Sequence, residues 1–538
     1  MSRLQPRVLR RLRARSERGY VAVTVAIMLT VLLGFCAFAV DVGNWYYVGQ
    51  KAQKAADAAA LAGVPYLPSD QASAFSTARL QSKKNEFENV GVTTVTPSID
   101  GRPTRLRVKV TTTVKNQFGW LLGVPTTTIA RSAVADYAGP VPMGSPCNEY
   151  GDDPYPSGNR SSNCNNTGAF WANVGSPQAP KGNGDAFQNS MGSNSDYDAN
   201  GYFYSITLDQ DMPSLTIEAF DPALIAVGDK CDVNNLAGAD NLSYSLGQTV
   251  VSDPDVRYAP NATSPMCTGD VRFGGTGEVQ TQFTMRGLSQ NAWDPLSYPV
   301  MTSASCAAKT FAGYDGDMAK VLKKNSPEYN ARPDVAANFR QWKPLCTMTG
   351  GVSKGTYLVQ IKTNGLGSDA ASGHNRFSLR AYGSSGGDKD HISISGYAKM
   401  AMYGNTPNGT SKFYLAKVPT GSRGQLFTVR LFDIGDGATA GSTVKVMPPQ
   451  EYGNTFSGCQ GSGVQNGALT DCTINVSSAF NGQWQDVTVP IPSGYTCQDT
   501  SPTGCWLRLE FYYGPGSGPA DTTSWTANVA GDPVRLVE

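Results

Sequence analysis

The sequence is poor in histidine, and this shortage limits the chemistry that the chain can perform. It has two histidines, His374 and His391, both in Gly-, Ser- and Asp-containing stretches that predict exposed loops. A serine or cysteine nucleophile needs a histidine beside it, and a histidine-based zinc site needs closely spaced ligands. The sequence presents neither arrangement, so we predict that the protein is not an enzyme.

Charged residues are also scarce. They make up 16% of the 538 residues, and 44 Lys and Arg nearly balance 43 Asp and Glu. Because seven arginines precede residue 19, the remainder is mildly acidic and offers no electrostatic reason to bind nucleic acid. With 58 Gly and 33 Pro, the composition favours short strands in β-sandwiches over helices.

A long apolar run lies near the N-terminus. Val21 to Val40 is a stretch of twenty residues without a charge, the length of a helix that crosses a hydrocarbon core of roughly 30 Å. The arginines before it, opposed by Glu17 alone, would hold the N-terminus in the cytoplasm. We therefore predict a single-pass protein of the cytoplasmic membrane with the bulk of the chain outside. A cleaved secretory signal, with its cleavage site at Ala37–Ala39, and a plain membrane tether are the alternatives.

The helix is predicted to continue beyond the apolar run. Interfacial aromatics follow Asp41, and strong helix formers then extend to Ala62, before Gly63 and Pro65. One helix of roughly forty residues, about 60 Å long, would result. Its outer half carries a stripe of small residues suited to close packing against other helices. These helix-packing residues are Ala52, Ala55, Ala56, Ala59 and Ala60.

Three stretches, Arg18–Val23, Ala39–Gly43 and Gln53–Ala62, resemble the N-terminus of the TadE/TadG-like family of the bacterial tight-adherence (Flp-type) pilus assembly system. The resemblance implies a pilin-like minor component or an assembly factor, with other pilus proteins and membrane lipid as partners. Processed family members are cut after a Gly that has Glu five residues beyond it. Here Thr24 stands five residues beyond Gly19, so we expect no cleavage. The Asp-x-Ser-x-Ser motif of a von Willebrand-type A domain is absent from the sequence.

Composition and patterning divide the chain into five predicted parts. A second helix is expected over 69–88, and strands are expected over 92–97, 104–111 and 126–135, which would form a small pilin-like α+β unit. The predicted parts are a cytoplasmic Arg-rich tail (1–19), a transmembrane and stalk helix (20–63), the α+β domain (64–140), a linker with a first β-sandwich module (141–348), and a second β-sandwich module (349–538).

A weak internal repeat supports two jelly-roll-like modules. Tyr202–Ile206 and Leu215–Asp221 resemble Phe413–Val418 and Phe427–Asp433, with similar spacing and the same Phe-Asp ending. A tryptophan near Ala-Asn-Val also occurs once in each predicted module.

Ten of the eleven cysteines lie beyond the apolar run, as expected for structural disulfides in an oxidising compartment. Pairing sequence neighbours predicts five bridges, although spacing alone does not determine connectivity. The remaining Cys36 lies in the apolar run and is expected to pack as a small apolar residue. The predicted pairs are Cys147–Cys164, Cys231–Cys267, Cys306–Cys346, Cys459–Cys472 and Cys497–Cys505.

One segment resembles the opening of a calcium loop. Asp196, Asp198 and Asn200, followed by Gly201, place oxygen ligands at alternate positions before a tight turn. Position twelve of such a loop is Thr207 rather than Glu, and Asp and Asn also favour simple turns. Apart from calcium at this loop, no cofactor is expected.

These observations predict a non-enzymatic, membrane-anchored component of Tad-type pilus assembly. Its sandwich modules would be exposed for adhesion or interaction, with a surface glycan as one partner. A cell-envelope protein that binds carbohydrate or peptidoglycan outside any fibre is the alternative, and a secreted hydrolase is a third.

Overall fold

The computed structural model describes most of the chain and divides it into two compact units. The first comprises Met1–Ala138 with Pro533–Glu538, and the second comprises Gly139–Asp532. The described residues are 13–67, 71–137, 140–151, 159–162, 164, 170–190, 193–222, 279–289, 294–311, 313, 321, 325–339, 341–363, 373–405, 410–435, 438–512, 520–529 and 534–537.

Helices occur mainly in the first unit. The predicted long helix is α1 (Arg13–Gly63), which begins seven residues before the predicted start at residue 20, within the predicted cytoplasmic tail. The second helix is α2 (Gln71–Lys84). Two short helices in the second unit, α3 (Pro327–Ala331) and α4 (Pro333–Ala336), each begin with a proline, whose fixed φ suits the first helical turn.

Strands make up most of the remaining described structure. In chain order they are β1 (Thr93–Asp100), β2 (Arg102–Lys115), β3 (Thr126–Tyr137), β4 (Met143–Gly144), β5 (Glu149–Tyr150), β6 (Phe170–Gly175), β7 (Tyr202–Leu208), β8 (Met212–Phe220), β9 (Thr281–Arg286), β10 (Lys309–Phe311), β11 (Trp342–Val352), β12 (Gly355–Lys362), β13 (His374–Tyr382), β14 (Ile392–Gly396), β15 (Lys399–Asn405), β16 (Thr410–Lys417), β17 (Leu426–Phe432), β18 (Thr443–Met447), β19 (Gln460–Gly463), β20 (Gly467–Ala468), β21 (Thr473–Asn475), β22 (Trp484–Pro490), β23 (Trp506–Tyr512), β24 (Ala520–Val529) and β25 (Val534–Leu536).

The first unit is built on a four-stranded antiparallel sheet in the order β1-β2-β3-β25. The alternation predicted for β2 is present, since Leu106, Val108 and Val110 are fully buried. The last strand, β25, corrects the predicted domain limits: residues 534–536 pair with β3 of the first unit and do not belong to the second module.

The second unit contains two large sheets, and every strand pair described in them is antiparallel. The first has the order β10-β9-β12-β7-β14-β4-β16-β23-β18-β21. The second has the order β11-β8-β13-β6-β15-β24-β17-β22-β19-β20, and β5 pairs with β13 at its side.

Buried side chains from both large sheets share one hydrophobic core. Phe377 of the second sheet packs edge-on against Phe283 of the first, with ring centroids 5.3 Å apart. Phe413 of the first sheet and Trp525 of the second stack within the same core, with ring centroids 5.8 Å apart. Ring pairs at such separations add to the stabilisation that comes from burial. The second unit is therefore held together by contacts between its two sheets.

The strand pairing corrects the boundary predicted between residues 348 and 349. Strands β12 and β14, which follow that boundary, both pair with β7, which precedes it. Strand β13 likewise pairs with β8. Residues on both sides of the boundary thus lie in the same sheets, and no division of the fold occurs there.

The internal repeat has a structural counterpart. Its first copy places β7 in the first large sheet and β8 in the second, and its second copy does the same with β16 and β17. Each copy is a strand pair that crosses from one sheet to the other. The repeat therefore reflects two similar crossings within shared sheets.

Four of the five predicted cysteine pairs form disulfides: Cys147–Cys164, Cys306–Cys346, Cys459–Cys472 and Cys497–Cys505. The fifth pair, Cys231–Cys267, lies outside the described residues. The four bridges join cysteines that lie 8 to 40 residues apart in the second unit, whose described residues include little helix.

Candidate functional site

The apolar segment of α1, Val21–Val40, exposes apolar side chains on all sides of the helix. The large apolar residues between Val21 and Val40 are 52% to 70% exposed, and Cys36 is exposed among them. Among the described residues, α1 is the one helix that is long and apolar enough to cross a membrane. The hydroxyls of Thr24 and Thr30 donate to carbonyl oxygens one turn back, at 2.9 and 2.8 Å, so neither needs water. The helix is compatible with a single-pass membrane anchor.

Asp41, the first charged residue after the apolar run, is buried against the loop between β2 and β3. Its carboxylate accepts backbone N–H groups from Gln117 at 2.6 Å, Phe118 at 3.1 Å and Gly119 at 2.7 Å. Three amide donors satisfy a buried carboxylate and fix the loop to the helix. In the sequence, Asp41 marked only the end of the apolar run. A carboxylate beside such a run needs hydrogen-bond donors if it is buried, and that requirement was the sequence signal for this contact.

Further contacts attach the β2–β3 hairpin along the outer half of α1. The indole Nε1 of Trp45 donates to Asn116 Oδ1 at 2.7 Å, and Gln53 Nε2 donates to the Ser132 carbonyl oxygen at 3.1 Å. The hairpin is thus held at several heights on the helix. These contacts fix the orientation of the hairpin relative to α1.

The predicted alanine stripe packs closely, but within its own chain. Ala52, Ala55, Ala56, Ala59 and Ala60 are all fully buried. In the first unit α1 contacts α2, β2 and β3, whose facing positions are also small or apolar. This corrects the expectation that the stripe packs against helices of partner proteins, because a fully buried face has no surface to offer.

A different face of the outer half of α1 is exposed. Tyr46 is 68% exposed, and Val42, Gln50 and Lys54 are also exposed at successive four-residue intervals. Residues four apart lie on one side of a helix. Nearby Lys51 pairs with Glu86 at 2.7 Å, which raises the lysine pKa through that hydrogen bond. We call Val42, Tyr46, Gln50 and Lys54 the exposed stripe.

The carboxylates of the predicted calcium loop are each paired with a lysine. Asp196 Oδ2 accepts from Lys181 Nζ at 2.7 Å and from the Trp484 indole at 3.0 Å. Burial raises the pKa of Asp196, but these hydrogen bonds outweigh it and the pKa is lowered.

The second carboxylate of the loop has a similar arrangement. Asp198 forms an ion pair with Lys399, and its other oxygen accepts the Asn200 backbone N–H at 2.8 Å. The lysines give these residues a structural role as they stand. Calcium binding here stays a prediction, which a calcium titration followed by thermal melting would test.

A buried polar cluster lies near one end of β13. Asp185 accepts a hydrogen bond from the Tyr202 hydroxyl at 2.5 Å and from the Gly175 N–H at 2.7 Å, while burial raises the pKa of Asp185.

His374, at the start of β13, is only 1% exposed, so the prediction that it lies in an exposed loop was wrong. The other histidine, His391, is exposed, and its Nδ1 lies 2.9 Å from Asp209. Burial, and then the charge of Arg376, lower the pKa of His374 well below its ordinary value.

Two features that could suggest catalysis or metal binding have structural explanations. The Gly-x-Ser-x-Gly pattern of hydrolase nucleophile turns occurs at 351–355 and 383–387. Neither lies between a strand and an α-helix, as a nucleophile elbow requires. Among the described residues, Glu451, Cys497 and Cys505 come within metal-binding distance of one another, but the two cysteines are joined in a disulfide.

Comparison with known proteins adds information about the N-terminal part alone. No curated protein and no solved structure matches the chain. Residues 19–73 match a family model described as Tad, putative Flp pilus-assembly TadE/G-like. The matched segment includes the exposed apolar half of α1, Asp41, the alanine stripe and the start of α2. The match confirms, for residues 19–73, the family that the sequence resembles, the TadE/G-like family of Flp pilus assembly.

Proposed function

We propose that this protein is a non-enzymatic, membrane-anchored component of Tad-type pilus assembly, acting as a minor pilin-like subunit or as an assembly factor. The observation that carries the proposal is the position of the family match. It covers the exposed, uncharged segment of α1 from Val21 to Val40 and the outer half of the helix, which packs within the first unit. This helix would span the cytoplasmic membrane of a bacterium, with its arginine-rich end inside.

The second unit would be the part displayed outside the membrane. Its two large sheets share one core, as the sheets of a jelly-roll-like β-sandwich do, and four disulfides suit an oxidising compartment. We propose that it serves adhesion or interaction, with a surface glycan among its partners. The near-neutral net charge of the chain gives no electrostatic reason to propose nucleic acid as a partner.

Within a fibre or an assembly complex, the exposed stripe would contact neighbouring pilin-like helices. It supports this role because its four residues are exposed while the alanine face is fully occupied. Tyr46 and Val42 provide apolar area, and Lys54 provides a charge that a partner carboxylate can meet.

Shearing surface fibres from intact cells tests the proposed function. Blotting the sheared and membrane fractions would separate the two roles: an assembly factor stays in the membrane at full length, whereas a minor pilin enters the fibre fraction. A shortened chain in the fibres would show cleavage after Gly19, against our expectation from Thr24. If deleting the gene leaves piliation intact and the protein never enters fibres, the alternative of a carbohydrate- or peptidoglycan-binding envelope protein is favoured.

A matched pair of substitutions tests the exposed stripe. Gln50→Trp places a large side chain on the stripe, and Gln71→Trp makes the same change at an exposed position on α2. We expect Gln50→Trp to reduce piliation at unchanged protein level, and Gln71→Trp to leave piliation unchanged. Equal piliation in both strains would refute the assignment of this face.

A further inference from the structure

The turn between β2 and β3 exposes five large apolar side chains within seven residues. Phe118 is 42% exposed, Trp120 60%, Leu121 63%, Leu122 80% and Val124 50%. Single exposed apolar residues are common on soluble proteins, but a cluster of this kind marks an interaction surface. We call Phe118–Val124 the apolar turn.

The apolar turn lies at the height where α1 leaves its apolar run. Asp41, which directly follows Val40, accepts the backbone N–H groups at the start of the turn, from Gln117 through Gly119. At 1.5 Å rise per residue, the turn is therefore within about one helical turn of the last apolar residue of the predicted span.

The hairpin also points its turn toward the membrane end of the helix. Gln53 contacts Ser132 on β3, Trp45 contacts Asn116 at the end of β2, and Asp41 contacts the turn itself. Moving from Gln53 back to Asp41 along α1 thus moves along the hairpin to its tip. The tip is the part of the sheet that would meet the bilayer first.

The charges nearest the apolar turn suit an anionic lipid surface. Between residues 101 and 131 the sequence contains no Asp or Glu, and Lys115, the last residue of β2, lies beside the turn. Lys109 and Arg131 lie further along the hairpin, whereas Arg105 and Arg107 form ion pairs with Asp136 and Asp100 and do not contribute to this charge. Basic residues near a membrane surface are attracted by acidic lipid headgroups, and tryptophan favours the interfacial region.

We propose that the apolar turn inserts into the headgroup region of the leaflet through which α1 emerges. This inference rests on the proposed function, in which α1 spans the membrane. The helix and the turn would form two attachment points that fix the orientation of the first unit on the membrane. The ligand is the lipid interface; the apolar face of a neighbouring protein is the competing occupant, which the experiment below separates.

The test uses the full-length chain in vesicles of phosphatidylethanolamine and phosphatidylglycerol. Cys36→Ser removes the exposed thiol, and Leu121→Cys then carries an environment-sensitive fluorophore. The matched control places the label at Thr94→Cys, an exposed position on β1 of the same sheet. Flotation of the vesicles shows independently whether α1 anchors the protein. Quenching by doxyl lipid and by aqueous iodide then locates each label.

We expect the label at position 121 to be quenched by doxyl lipid and to lose iodide quenching, with the opposite result at position 94. Leu122→Asp, a change at an 80% exposed position, should return the label to water without loss of flotation. Flotation with equal iodide quenching at both positions would overturn the inference and leave the proposed function intact. Failure to float would overturn the proposed function itself. A label that is in water in vesicles but shielded in fibres would assign the turn to a protein neighbour and overturn the lipid assignment.

Discussion

Removal of the Asp41 carboxylate should release the apolar turn from the helix. In Asp41→Ala, three backbone donors at Gln117, Phe118 and Gly119 lose a buried acceptor. A hydrogen bond to a charged group contributes roughly 1.5–3 kcal/mol, and such contributions are not additive. In the variant, water can take the place of the carboxylate once the loop opens, so the total loss is smaller than the sum of three such bonds. We therefore expect the free energy needed to open the loop to fall by about 3 kcal/mol.

Hydrogen exchange measures this loss directly. A change of about 3 kcal/mol corresponds to roughly a hundredfold faster exchange, since 1.4 kcal/mol is a factor of ten. We expect that acceleration at the amides of residues 117–119, measured by mass spectrometry on the detergent-solubilised full-length protein. Amides in the centre of β2 should exchange as before, because their partners lie on β1 and β3.

Asp57→Ala is the control for this experiment. Asp57 lies on the same helix and accepts a hydrogen bond from Gln53 at 2.8 Å, but no described contact joins it to the turn. The control should leave exchange at residues 117–119 unchanged. If Asp41→Ala also leaves those amides protected, the carboxylate does not hold the turn and the reasoning about its position fails.

Three further predictions concern packing, disulfides and pH. Ala55→Leu should destabilise the first unit by about 1–3 kcal/mol through overpacking, seen as a lower melting temperature in detergent, while the exposed Lys54→Leu should not. Non-reducing peptide mapping should recover the four described disulfides together with Cys231–Cys267; any other partner for Cys231 would refute that pairing. Burial depresses the pKa of His374, so below pH 6.5 the unfolded chain binds a proton that the folded chain does not. The free energy of unfolding should therefore fall by about 1.4 kcal/mol for each pH unit below 6.5, until the pKa of the folded state is reached. His374→Asn should flatten this slope in a series of urea unfolding curves.

The elements with strong local signals were predictable from sequence. A twenty-residue uncharged run followed by helix formers gave α1, and the alternation of apolar and basic residues gave β2. Sequence neighbours also identified the four described disulfides. Each of these signals depends on residues close together in the chain, so no knowledge of tertiary packing was needed.

The partner of a small-residue face could not be predicted in the same way. Alanines at helical spacing indicate close packing, but they do not say whether the packing occurs within one chain or between chains. The alanine stripe is satisfied by α2 and the sheet of its own unit, and α2 itself contributes buried Ala74 and Ala78. That outcome depends on how α2 and the sheet fold back against α1, and a local sequence pattern does not contain this tertiary information. His374 is a similar case, because its burial depends on strands that are distant in sequence.

The segment predicted as linker shows why the two modules were not separable. Its composition is rich in Gly, Pro, Ser and Asn, yet Met143 and Tyr150 are fully buried. Strand β4 has only two residues, but it pairs with β14 on one side and with β16 on the other. It thereby links β7 of the first repeat copy, through β14, to β16 of the second copy within one sheet. In the other sheet β13, β6, β15 and β24 lie between β8 of the first copy and β17 of the second. A two-residue strand has no periodicity that a sequence pattern could detect. The internal repeat therefore indicated a duplicated strand arrangement correctly, and the connection that merges its copies was visible only in the folded chain.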